Sequence, residues 1–268
     1  MASTPQILCE LSLKILAPLA AIGFLVVLTI LLSLAISQNA SIPKVRQRGT
    51  PVHILVVLGS GGHTAEMLYM LENTFKSSIY TYRTYVVSSG DALSAQKAVE
   101  FEDTFARKEE SDNNAKDYNI VTIPRARRVH QSYLTAPYST LRCFWACLLV
   151  LGGRHPAQRR LPAQFQSSHP DIIITNGPAV AVCMLLAAKL IRSFIFVSRW
   201  AAGRGSKPDI SRLRTVYVES WARVRTLSTS GFLLLPVADK FLVQWPTLAG
   251  RRAWWGMKKT EYCGWVVV

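Results

Sequence analysis

Four short segments carry the residue types that could hold and transform a phosphorylated ligand. The first reads Gly59-Ser60-Gly61-Gly62-His63-Thr64 and follows the apolar, β-branched run of residues 52–58. A stretch with apolar residues at helical spacing, 65–71, comes directly after it. A glycine-rich turn that joins a strand to a helix N-terminus is an anion site. Its glycines let the backbone approach a ligand, and its free N–H groups and helix dipole favour phosphate. The second segment is basic, with Arg125, Arg127 and Arg128 just past Pro124. The third is the turn Asn176-Gly177-Pro178, and the fourth is Glu219-Ser220. A glycine loop also serves as a plain tight turn, so the other three segments matter to the reading.

The loop excludes two common phosphate binders. No Gly-Lys-Ser/Thr follows it, as a nucleoside-triphosphate loop requires, and Thr64 stands where a dinucleotide fingerprint has its third glycine. The second strand candidate, residues 84–88, runs into Ser89-Gly90 and carries no acid for a ribose.

The elements that must position these residues alternate. Strands are predicted at 52–58, 84–88, Tyr118–Ile123, 171–175, 193–197, 215–218 and 240–245. Helices are predicted from Thr64, around 92–105, and over 179–190. Residues 109–117 read as a solvated loop, and 199–214 as a basic, glycine-containing loop or insertion. The apolar, aromatic segment 138–151 reads as a core helix or as a helix lying in a membrane interface. Strands alternating with helices imply a single Rossmann-like, doubly wound parallel α/β sheet. Such sheets bind ligands at the carboxyl ends of their strands, where all four segments fall.

The composition narrows the partners. Lys plus Arg number 31 against 16 Asp plus Glu, a net charge of +15. A basic chain meets nucleic acid, anionic lipid or a phosphorylated substrate. Its arginines are scattered, with no nucleic-acid motif, so nucleic acid is not expected. Five cysteines show no metal-ligand spacing and no disulfide framework, which points to a reducing compartment and no metal site. Cys147 and Cys183 read as buried small hydrophobes. No cofactor is expected.

Residues 15–40 carry no charge and are long enough to span a bilayer. A signal peptide with cleavage near Ala35-Ile36-Ser37 is the competing reading, but its apolar core would be shorter. Lys44, Arg46 and Arg48 follow the run, whereas Lys14 before it is offset by Glu10. The positive-inside bias then places the C-terminal part in the cytosol. On that topology the sequon Asn39-Ala40-Ser41 stays unmodified. The predicted organisation is a lumenal segment (1–14), one transmembrane helix (15–40), a basic linker (41–50) and a cytosolic domain (51–268).

Taken in order, the motifs resemble a known family. They are the loop 59–64, Ile-Pro-Arg-Ala-Arg (123–127), His-Gln-Ser (130–132), Thr-Asn-Gly-Pro (175–178), Val-Glu-Ser (218–220) with Arg223-Val224, Leu-Ser-Thr-Ser-Gly (227–231) and Val-Gln-Trp-Pro (243–246). The chain resembles the membrane-anchor subunit of the eukaryotic UDP-N-acetylglucosamine transferase of asparagine-linked glycosylation. That family is similar to the acceptor-binding half of the bacterial transferase that makes the lipid-linked peptidoglycan precursor. The basic loop 199–214 has no match in the family pattern, and Ser230 is a mild departure from it.

The resemblance implies one half of a two-domain glycosyltransferase on the cytosolic face of the endoplasmic reticulum membrane. It implies a soluble partner chain that binds UDP-N-acetylglucosamine and an acceptor, dolichyl-diphospho-N-acetylglucosamine. The second sugar is added in β1,4 linkage with inversion, and this chain alone is inactive. On that reading Gly59, Ser60, Gly61, Gly62 and Thr64 contact the diphosphate, helped by Arg125, Arg127 or Arg128. Asn176 and Gly177 line the opposite wall. His63 and Glu219 are candidates for the base that deprotonates the acceptor. The alternatives are that His63 orients the loop, that Glu219 pairs with Arg223 or Arg225, and that the base comes from the partner. The apolar tail Trp265, Val266, Val267 and Val268 is expected to dock that partner or to pack back on its own domain. A self-sufficient transferase, a nicotinamide-dependent reductase and a scaffold without substrate contact are the rivals.

Overall fold

Seven strands form one sheet in the order β3-β2-β1-β4-β5-β6-β7, with every neighbouring pair parallel. The computed structural model describes residues 28, 32, 34–35, 38–39, 50–74, 79–108, 118–127, 131–132, 134–165, 167–177, 179–202 and 212–266. Most of the predicted membrane helix lies outside the described residues, as do the linker up to 49, the loop 109–117, most of the loop 199–214, Arg128, Pro178, Val267 and Val268.

The strands are β1 (His53–Val57), β2 (Tyr82–Ser88), β3 (Tyr118–Ile123), β4 (Ile172–Asn176), β5 (Arg214–Val218), β6 (Lys240–Val243) and β7 (Glu261–Tyr262). The helices are α1 (Gly62–Thr74), α2 (Ala92–Lys108), α3 (Ala136–Leu151), α4 (Ala179–Ala201) and α5 (Thr229–Leu234). The chain starts in the middle of the sheet, winds outward through β2 and β3, and then crosses back to β4. The order reverses between β1 and β4, so the loops after these two strands face each other across a crevice.

Packing follows from the apolar pattern. Residues of α3, α4 and α5 bury Cys143, Cys147, Val150, Met184, Leu185 and Leu234 against one face of the sheet. On the other face, α1 and α2 bury Met67, Leu68, Leu71 and Ala98 over Ile54, Val56 and Tyr85. Central β1 is buried at every position, as a strand covered on both faces must be.

The predicted strand at 193–197 is instead the last part of α4, which runs unbroken for 23 residues. Its β-branched and aromatic residues look strand-like, but no glycine or proline interrupts 179–201. A tertiary contact also sets its register. Lys189 and Arg192, one helical turn apart, both reach the buried Asp239 at 3.3 and 2.5 Å, and Asp239 also accepts from the Thr215 N–H. The same helix is apolar and long enough to cross a membrane over residues Ala179–Ser198, by length and composition. Half of that window is buried, in the core of the domain. The six described positions between 28 and 39 are all helical. Gln38 is buried there and donates to the carbonyls of Leu235 and Ala238, while the Lys258 N–H donates to it. The end of the apolar N-terminal segment is thus fastened to the domain.

His53 opens β1 with its backbone N–H on Asp171 and its Nε2 2.8 Å from the Thr84 hydroxyl. Burial holds its imidazole down at about 4 instead of 6.5, with Asp171 pulling the other way. The unfolded chain takes up this proton near the ordinary value, so the stability is present above pH 6.5 and is lost as pH falls through about 4. The loss is on the order of 3 kcal/mol. Denaturant midpoints of wild type and His53→Gln, taken from pH 7 to pH 4, should converge on acidification; parallel curves would refute this origin.

Candidate functional site

The carboxyl ends of β1, β4, β5 and β6 bring His63, Glu66, Asn176, Gly177, Glu219 and Gln244 into one connected cluster. β1 ends at Val57, and Gly61 turns with φ of 59° into α1. Thr64 is buried, and its hydroxyl bonds the Gly59 carbonyl and lies 2.7 Å from the Ser94 hydroxyl. Ser94 in turn bonds Gly59 and Asp91, so the loop is braced from α2. Thr64 therefore shapes the loop from inside. Among the described residues no group accepts from the N–H groups of Gly61, Gly62 or His63, which leaves the start of α1 free for an anion. Ser60 is exposed beside them.

His63 is held on three sides. Asn176 Nδ2 donates to its carbonyl at 2.8 Å. Its ring packs directly on Gly177: a Cβ placed there would lie 2.7 Å from the ring carbon Cγ. Gly177 also has φ of 77°, so two independent constraints require glycine. The third side is Glu66, whose Oε2 is 3.8 Å from His63 Nδ1. About a third of the His63 side chain stays open to solvent, enough for a ligand to reach it.

Glu66 was not among the residues singled out from the sequence, and its role is the main addition. Its carboxylate accepts from the Trp221 N–H at 2.7 Å and from Gln244 Nε2 at 2.6 Å. Burial alone would raise its pKa; the contacts from His63, Trp221, Gln244 and Ser220 outweigh that and hold it below the usual carboxylate range. The signal was legible as an acid one helical turn after the histidine. Gln244, buried at the end of β6, also bonds the Glu219 carbonyl and accepts from the Val266 N–H.

Glu219 sits deeper than His63. One oxygen accepts from the N–H and hydroxyl of Ser228 and the other from the Ser220 N–H. A Cβ on Gly231 would lie 2.1 Å from its carboxylate, so the first turn of α5 closes directly over it. Burial raises its pKa, and the Ser228 and Ser220 hydrogen bonds and Arg223 oppose that rise. This geometry suits a carboxylate that anchors the Ser228 turn. No ion pair of Glu219 with Arg223 or Arg225 forms among the described residues.

The arginines stand farther along the same edge. Arg125 ties the end of β3 to that of β2 by donating to the carbonyls of Ser89 and Gly90. Arg127 donates to the Gln131 carbonyl. Arg125 lines a cavity of about 600 Å³ with Ser89, Gln131 and Arg142. In the tail, Trp265 is 56% exposed and completes a row with Trp245 and Trp221, their ring centroids about 6 Å apart. Val266 packs back on the α1 and α2 side of the core. One tail residue thus packs back on its own domain and its neighbour faces solvent. Among the described residues no cluster of His, Cys, Asp and Glu could hold a metal.

Gly177→Ala should displace the His63 ring and strain the turn by about 1–2 kcal/mol. An NMR signal of the His63 ring should move while the fold persists. Turnover by the assembled protein should fall by about 10²-fold, the usual cost of misplacing a reacting group by an ångström. An unmoved ring signal would refute the contact.

Residues 54–266 match the family model described as "Oligosaccharide biosynthesis protein Alg14 like". The chain is 54% identical over 215 residues to "UDP-N-acetylglucosamine transferase subunit alg14" of Aspergillus fumigatus, covering 71% of this chain and 94% of that one. It is 35% identical to the protein of the same name from Schizosaccharomyces pombe, over 89% of this chain and 94% of that one. Against the human protein of that name the identity is 36%, over 73% and 76%. Among solved structures, Acinetobacter baumannii MurG aligns with a TM-score of 0.41 and 14% identity, over 73% of this chain and 42% of that one. The chain spans less than half of that protein's length.

Proposed function

The chain belongs to the Alg14-like family of oligosaccharide biosynthesis proteins, and from that premise we propose that it is the acceptor-binding, membrane-anchoring subunit of a heteromeric UDP-N-acetylglucosamine transferase. The observation that carries the reading is the set His63, Gly177 and Glu66 beside the unpaired N–H groups of the glycine loop. It combines an oriented, part-exposed imidazole with an anion site at one strand edge, as an acceptor with a diphosphate next to its reacting sugar requires.

On this reading the acceptor is dolichyl-diphospho-N-acetylglucosamine. Its diphosphate lies on the N–H groups of residues 60–63, with Arg125 and Arg127 neutralising charge farther along the edge. His63 takes the proton of the acceptor's 4-hydroxyl as its oxygen bonds to C1 of the donor sugar. The bond from C1 to the UDP oxygen breaks, UDP leaves with the electron pair, and the anomeric centre inverts to β. Glu66 holds the imidazole and stabilises the cation that forms, while Glu219 fixes the turn behind it. The soluble partner supplies the UDP-N-acetylglucosamine site and closes the cleft from the other side. The N-terminal apolar helix holds the assembly on the cytosolic face of the endoplasmic reticulum membrane. The hydrogen bonds of Gln38 to Leu235 and Ala238 tie the end of that segment to the domain.

Transferase assays with UDP-N-acetylglucosamine and a diphospholipid-linked N-acetylglucosamine test the reading. Activity is expected only when the full chain is mixed with its soluble partner. Activity of the chain alone would make it a self-sufficient transferase, and no activity in the mixture would refute the assignment.

Trp265 presents an exposed ring at the end of the row of three tryptophans, which suits a docking surface. Deleting residues 265–268 should abolish co-purification of the soluble partner while the chain stays in the membrane. Unchanged co-purification would remove the tail from the interface.

A further inference from the structure

We propose that Gln244 is a positioning residue that couples the seating of the C-terminal tail to the placement of the His63 ring. Its importance for catalysis rests on the transferase reading above; the coupling itself rests on the following contacts. The tail grips two neighbouring residues at the end of β6. The Val266 N–H donates to Gln244 Oε1 at 3.3 Å. The Trp265 ring lies 5.8 Å from that of Trp245. Side chains alternate along a strand, so this pair leads to opposite faces of the sheet. Trp245 packs with the core under α3, α4 and α5, while Gln244 reaches Glu66 on α1.

The two routes converge on one atom. Gln244 Nε2 donates to Glu66 Oε1 at 2.6 Å. Trp245 Nε1 donates to the Trp221 carbonyl at 2.7 Å, and the Trp221 N–H donates to the same Glu66 Oε1, also at 2.7 Å. The other oxygen, Oε2, is the one that lies 3.8 Å from His63 Nδ1. A carboxylate is planar and rigid, so the donors that hold Oε1 also aim Oε2 at the imidazole.

The Gln244 amide can be turned two ways, and its surroundings choose one. It is 1% exposed, so neither end can turn to bulk water. As it stands, its oxygen faces a donor, the Val266 N–H, and its nitrogen faces two acceptors, the Glu66 carboxylate and the Glu219 carbonyl. Turned over, it would set oxygen against carboxylate and nitrogen against N–H, like against like. Loss of the Val266 N–H leaves a buried acceptor unsatisfied and removes one of the contacts that keep the nitrogen on Glu66. The amide is thus the element with two arrangements that the tail biases. Within this network Trp265 is exposed and Val266 half-buried, so the tail is the part on which a docking chain can press. A chain seated on the row of tryptophans would hold Glu66, and through it the His63 ring.

The test uses the full chain in lipid nanodiscs with isotope-labelled histidine and no partner. His63 ring signals are assigned by their loss in His63→Gln. Val266→Pro removes the N–H; Val266→Ala keeps it. Val266→Pro and Gln244→Met should each shift the His63 ring signals toward their position in Glu66→Gln, whereas Val266→Ala should leave them where they are. The double variant Gln244→Met with Val266→Pro should shift them no further than Gln244→Met alone, as members of one chain of contacts do. An unmoved His53 ring signal shows that the fold persists. Were Gln244→Met not to fold, the two Val266 variants would decide. Unmoved His63 signals, or shifts that add, would overturn the coupling; an equal shift in Val266→Ala would reduce it to packing and overturn it too. In the assembled complex at saturating soluble partner, Gln244→Met should lower kcat about tenfold with the KM for UDP-N-acetylglucosamine unchanged. An unchanged kcat would overturn the role in catalysis. Shifted signals in a complex without transferase activity sink the transferase assignment alone; wild-type activity with unmoved signals in the variants sinks the coupling alone.

Discussion

A single carboxylate, Glu66, joins the parts of the site that the sequence keeps far apart. It extends from the first turns of α1 and meets Trp221 after β5, Gln244 at the end of β6 and His63 on its own helix. A carboxylate left mostly buried needs donors, and here each donor belongs to a different strand end. Satisfying that one group therefore fixes the relative height of three loops. The crevice between β1 and β4 would exist without it, because the strand order alone creates it. What Glu66 adds is a fixed histidine within that crevice.

Charge is distributed with the same economy. A net charge of +15 repels itself, yet the buried cations are matched. Arg83 pairs with Glu102 on the α2 side, and Lys189 and Arg192 share Asp239 on the α4 side. These pairs set the registers of the helices on the sheet, where a missing partner would leave a charge in the interior. Arg125 and Arg127 lie past the carboxyl end of β3, and Arg142 projects from α3 beside them. A phosphorylated ligand would therefore meet positive potential at the same edge where the backbone N–H groups are free.

The edge also orders functions along its length. The glycine loop and His63 lie at the centre of the sheet, Arg125 and α3 toward β3, and the row of tryptophans toward β7. This follows from the winding of the chain, since the α1 crossover leaves from the centre and later strands add outward on the other side. The carbonyls that Gln38 bonds precede β6, so this residue meets the domain on the flank away from β3. For the same reason the contact lies at the amino end of the sheet, across from the glycine loop.

Local pattern alone determined much of this protein. Apolar β-branched runs and helical spacing disclosed six of the seven strands and the sheet type, because burial on both faces leaves a composition signature. The glycine loop, the Asn176-Gly177 turn and the arginines were legible from residue type, since backbone freedom and charge are properties of single positions. The strand expected at 193–197 was misplaced because its residues suit both periods, and only the grip of Asp239 on Lys189 and Arg192 settles it as helix. The brief β7 and α5 left too few residues for a pattern. The partners of Glu66, the packing of Gly177 under His63 and the burial of Glu219 beneath Gly231 were decided by the tertiary structure alone. The contacts of Glu66 with Trp221 and Gln244 join residues 155 and 178 positions apart, and the others depend on how elements pack. No local spacing encodes such a distance; the order of the strands in the sheet does.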